Sequence, residues 1–96
     1  MSYSYSDIKD ILKSQKTFLQ KKYGLTQIGI FNYYQDANSA DFVVEFNSPM
    51  GMMFLDFCEF IESILNIDAQ IITIEALENI KDEPLKNGIK SKVEYV

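Results

Sequence analysis

Ile8, Ile11, Leu12, Phe18, Leu19 and Tyr23 recur at three- and four-residue spacing, which predicts an amphipathic helix over residues 7–23. Ser6 is the expected N-cap, Asp7 falls in the first turn and Gly24 is the expected stop. Residues 26–31 and 41–46 read as strands. In the second, Phe42, Val44 and Phe46 fall on one face and Val43 and Glu45 on the other. Asn47-Ser48-Pro49 breaks that pattern. Met53, Phe54, Phe57, Phe60, Ile61, Ile64 and Leu65 then form a broad apolar arc, predicting a second helix over 51–66, with Asp56, Glu59 and Glu62 on its far side. Residues 69–74 predict a third strand, 75–80 the start of a short helix and 84–91 a last helix entered through Pro84. The alternating tail, 93–96, is suited to a sheet edge. The order of elements implies one α/β (α+β) domain over 1–96, a small mixed sheet packed by helices.

Composition narrows the chemistry. The net charge of -5 argues against nucleic acid as the main ligand. The chain has no Arg, which removes bidentate phosphate clamps, and no His, which removes imidazole catalysis and His metal ligation. Cys58 is alone, which excludes an intramolecular disulfide and a zinc cluster. It reads as a buried thiol in a reducing cytoplasm, the expected location. The first residues lack a basic segment followed by an apolar run, and Asp56, Glu59 and Glu62 interrupt the longest apolar region, so neither a signal peptide nor a membrane span is expected.

The helix ending Lys21-Lys22-Tyr23-Gly24-Leu25, the strand ending Ile30-Phe31, and Asp41-Phe42-Val43-Val44-Glu45-Phe46 through Pro49-Met50-Gly51 stand in an order shared with a known family. Ile72-Thr73-Ile74-Glu75-Ala76-Leu77 and the closing Val93-Glu94-Tyr95-Val96 continue it. Nearly the whole chain resembles the minimal nucleotidyltransferase family, relatives of the polymerase-beta superfamily. That resemblance implies a nucleotidyltransferase-like fold. It also implies a site in which a Gly-Ser turn holds nucleotide phosphates, two strand aspartates bind metals, and a third acid on the next strand activates the attacking hydroxyl.

Against that pattern the chain is degenerate. Asn32 and Tyr33 stand where the Gly-Ser turn belongs; a residue other than Gly blocks the closest backbone approach, and a Tyr ring is bulky where phosphate would sit. The turn's Arg and second Gly have no counterpart, and the loop 32–40 is shorter than the family's usual spacing, so its helical turn is expected to be truncated or absent. Ser39 replaces the first aspartate, Asp41 keeps the second, and Gln70 replaces the third acid. Asp68 would serve only after a two-residue register slip, which preserves the face. Asp36 in the loop is a weaker candidate. Magnesium in phosphoryl-type chemistry needs carboxylates together with substrate phosphates. Asp41 is therefore a weak metal site, and an alternative role is strand-start bonding to backbone amides.

The leading expectation is a catalytically inactive domain that acts by binding protein. The resemblance implies an antitoxin-like role with a helical HEPN-domain ribonuclease as partner. No cofactor is expected, with magnesium only for residual activity. An active transferase rebuilt from Asp41, Asp36 and Asp68, and a nucleotide-binding sensor, are the alternatives. Tyr33 and Tyr34 bring to the loop the aromatic area typical of binding loops. Either ring contacts a partner or a second copy of the chain, or one folds inward to fill the vacated pocket. Met52 and Leu55 are further candidates for an interface.

Overall fold

The structure is a computed structural model that describes residues 3–96. Eight elements follow one another: α1 (Tyr5–Tyr23), β1 (Leu25–Tyr34), β2 (Ser39–Phe46), α2 (Met53–Leu65), β3 (Asp68–Thr73), α3 (Ile74–Glu78), α4 (Glu83–Lys92) and β4 (Glu94–Tyr95). The strands form one sheet in the order β3-β2-β1-β4. β1 is antiparallel to both β2 and β4, whereas β2 and β3 are parallel, as a connection through α2 allows. The expected mixed α/β architecture is observed.

α1 starts two residues earlier than its N-cap was expected. Ser4, not Ser6, is the cap: its Oγ accepts from the Asp7 N–H at 3.1 Å, and Asp7 Oδ2 accepts from the Ser4 N–H at 3.0 Å. This reciprocal box satisfies two backbone donors at once. Gly24 ends the helix with φ of 72°, a left-handed conformation in which glycine carries no Cβ penalty.

The apolar layer lies between the sheet and the helices α1 and α2. Ile8, Leu12, Leu19 and Tyr23 meet Phe57, Ile61 and Leu65 over Ile28, Ile30, Phe42 and Val44. Phe57 is fully buried, with its ring edge-on to Tyr23 at 5.3 Å and to Phe46 at 5.0 Å. Tyr23 spends its polar end outside this layer, donating from its hydroxyl to Asp56 at 2.7 Å. Burial and that carboxylate push the Tyr23 hydroxyl up to about 12.

The opposite face is covered more thinly. α3 packs on β2 and α4 on β1. Val43 and Leu77 are buried outside the main layer. Gly29 makes room for the end of the chain, since a Cβ there would lie 2.6 Å from Val93 Cγ1. The tail forms the short edge strand β4, as its alternation suggested, and Glu94 binds Lys9 at 2.7 Å and the Tyr5 hydroxyl at 3.0 Å. At the other sheet edge, Glu62 reaches from α2 and accepts from the Ala69 N–H of β3 at 3.0 Å. Cys58 is half-buried, and burial, with Glu62 nearby, raises its thiol pKa, which favours the protonated form. Among the described residues no helix is long and apolar enough to cross a membrane.

Candidate functional site

The segment 32–40 is not a long loop. β1 runs on through Tyr34 and β2 begins at Ser39, leaving a four-residue turn, Gln35 to Asn38, between them. Ladder bonding extends the strands because Asn32, Tyr33 and Tyr34 pair with Asp41, Ala40 and Ser39. Asn38 closes the turn at φ of 52°, a conformation that Asn tolerates better than most residues, and its amide donates to the Asn66 carbonyl at 2.8 Å. The turn therefore carries no helical element.

Strand register gathers three of the expected positions in one row. Asn32 pairs with Asp41 and Asp41 with Gln70, so their side chains share a sheet face. The next row holds Tyr34, Ser39 and Asp68, which places Asp68 beside Ser39 rather than beside Asp41. A β-bulge between Ile30 and Asn32 sets the register, with Phe31 as the additional residue. Because of it, Tyr33 falls on the face opposite Asp41. Its hydroxyl donates to the Tyr3 carbonyl and its ring lies 6.3 Å from that of Tyr5, against the edge of the core. Burial, with Asp7 nearby, raises the Tyr33 pKa. Tyr34 is half exposed, at 50%.

Asp41 is held differently from the strand-start bonding anticipated for it. It is the third residue of β2, and its Oδ2 accepts from the Asn32 side-chain amide at 3.0 Å. The Asn32 carbonyl oxygen in turn accepts from Lys92 Nζ at 3.3 Å. Lys92 was missed in the sequence, because only the docking of α4 on β1 brings the end of that helix to this row. The result is a Lys92–Asn32–Asp41 chain in which the amide separates the cation from the carboxylate. Asp36 is exposed in the turn and Gln70 exposed on β3.

This donor set does not fit a two-cation clamp. The row offers one carboxylate, already bonded to the Asn32 amide, with the Gln70 amide on its other side, and the next row sets the Ser39 hydroxyl between Tyr34 and Asp68. Among the described residues no three acidic, Cys or His side chains cluster so as to hold a metal ion.

Comparison with known proteins places this frame. No protein-family model matches the chain. Three relatives from Methanocaldococcus jannaschii do, each named a putative protein adenylyltransferase. MJ1379 is 30% identical over 95% of this chain and 96% of its own length. MJ0128 is 30% identical over 95% and 96%, and MJ1215 is 34% identical over 71% and 86%. The chain belongs to the minimal nucleotidyltransferase family. In this minimal nucleotidyltransferase-family chain, Asp41 is the acidic member of the row formed by the β1–β2 hairpin and β3.

Proposed function

We propose that this protein is a catalytically silent nucleotidyltransferase-fold domain that works by binding another protein. The observation that carries the reading is the Asn32–Asp41–Gln70 row. Group transfer from a nucleoside triphosphate relies on cations to neutralise developing charge and on backbone donors to hold phosphate. One carboxylate tied to an amide does little of the first task. A hairpin with Asn32 and Tyr33 where glycine and serine would be suited does little of the second. Tyr34, half exposed at the mouth of the hairpin, is the proposed contact residue for the partner. The partner class is a helical HEPN-type protein, and the role antitoxin-like, in keeping with the resemblance already drawn.

The relatives' name, protein adenylyltransferase, supports a second reading, in which Asp41, Asp68 and Asp36 serve a rebuilt adenylyltransferase site. Incubation with labelled nucleoside triphosphate, magnesium or manganese, and candidate protein acceptors separates the two. The silent reading expects no transfer above background. Transfer that disappears in Asp41→Asn establishes the second. For the partner, co-purification with the product of a neighbouring reading frame that encodes a helical protein is expected, with Tyr34→Ala weakening it.

A further inference from the structure

The far end of β2 carries a second concave region. The outgoing loop, the first turn of α2 and the start of α3 enclose an open cleft of about 550 Å3. Its apolar floor includes Phe46, Met50, Phe54 and Ile74, with the Phe46 and Phe54 rings edge to face at 6.2 Å. Its charged lining is Glu45 and Glu75, both exposed, and no lysine lines it. Two further apolar side chains are exposed on the helix that borders the cleft. Where α2 begins, Met52 is 85% and Leu55 62% exposed, the highest values among the large apolar side chains described. Asp56 and Glu59 follow on the outward side of the same helix, since positions 52, 55, 56 and 59 recur at three- and four-residue steps. None of Glu45, Glu75, Asp56 and Glu59 belongs to an ion pair among the described residues.

From this we infer that the methionine-bearing, acid-rimmed cleft is a docking groove for a basic amphipathic helix of a partner protein. An amphipathic helix lays apolar anchors at three- and four-residue spacing into such a groove. Unbranched thioethers adapt to its side chains. Charge decides the occupant: Glu45 and Glu75, neither in an ion pair, flank the apolar floor, so lysines beside the partner's apolar stripe gain both attraction and orientation. A second copy of this chain is a poorer match. Its basic helix α1 shows solvent a mostly polar face, on which Phe18 is the one large apolar side chain exposed, at 43%. A small cationic ligand would leave Met52 and Leu55 uncovered.

The test titrates the full chain with a fluorescently labelled synthetic helix of Leu and Lys in amphipathic register, beside a counterpart of Leu and Glu. Saturable binding of the Leu/Lys helix alone is expected, weakening as salt is raised. Glu45→Lys with Glu75→Lys should weaken it by about tenfold or more, and Leu55→Ser by several-fold, in line with hot-spot behaviour. Thermal melts report whether each variant folds, and Glu45→Gln with Glu75→Gln replaces the reversal if it does not. Absence of binding, equal binding of the Leu/Glu helix, or affinity unchanged in these variants overturns the proposal. So does concentration-dependent self-association lost in Leu55→Ser, which would give the face to a second copy. The groove is independent of catalytic silence: nucleotide transfer reads the Asp41 row and peptide binding reads the opposite end of β2, so either reading can fail alone.

Discussion

Along β2, Ala40, Phe42 and Val44 turn towards α1 and α2 and are completely buried, while Asp41 and Glu45 turn the other way, beside a single fully buried Val43. One strand thus serves two environments. The first face is packed by two long helices and tolerates little change. The second is roofed by the five-residue α3 and by α4, which has no buried residue, and there the polar positions are held by local hydrogen bonds. The apolar core lies on the first face, and the Asn32–Asp41–Gln70 row on the second.

This contrast breaks most readily at Phe57. Phe57→Ala should cost about 3–5 kcal/mol in urea or thermal unfolding, because a fully buried ring between Tyr23 and Phe46 leaves a cavity. A loss under about 1 kcal/mol would place the ring outside the core.

The hairpin tyrosines sharpen the comparison, since adjacent residues face opposite sides. Tyr33→Ala removes packing on Tyr5 and a hydroxyl bond to Tyr3, and should cost about 1–3 kcal/mol. Tyr34→Ala should stay within about 0.5 kcal/mol in stability while weakening partner association. The reverse order of stabilities would mean that the bulge at Phe31 does not set the face.

A smaller effect is expected at the β3 edge. Glu62→Ala frees the Ala69 N–H and should cost about 1 kcal/mol, whereas Glu62→Gln keeps an acceptor and should cost less. If the bond also shields the edge from pairing with other chains, Glu62→Ala should aggregate faster in light scattering. On the polar face Asp41→Asn should change stability by under about 1 kcal/mol, because only one side-chain hydrogen bond is altered. Magnesium that raises the melting temperature of the parent chain but not of Asp41→Asn would show a working metal ligand instead.

The last effect shows only at alkaline pH. The Tyr23 hydroxyl is raised from 10.0 to about 12, first by burial and then by Asp56, so the fold favours its protonated form. Its contribution is fully present below pH 10 and is lost as pH rises through about 12. Tyr23→Phe should therefore flatten the decline of stability across that alkaline window, measured by denaturant midpoints at successive pH values.

Much of this was legible in the chain. The helical period of 51–66, the alternation in 41–46 and the breaks at Gly24 and Pro49 marked their elements to within two residues, because burial on one side imposes its period on the sequence. The length of the hairpin was not legible. Asn32, Tyr33 and Tyr34 lack a clear alternating pattern, and their strand state comes from pairing with Ser39, Ala40 and Asp41 across the ladder. Tertiary structure alone decided three further matters. The bulge at Phe31 sent Tyr33 to the core side. The docking of α4 on β1 delivered Lys92 to Asn32. The register of β3 set Asp68 beside Ser39 instead of Asp41. The physical reason is shared: a side chain's period is written locally, but its neighbours are chosen by strand pairing and helix docking, which bring segments together only on folding.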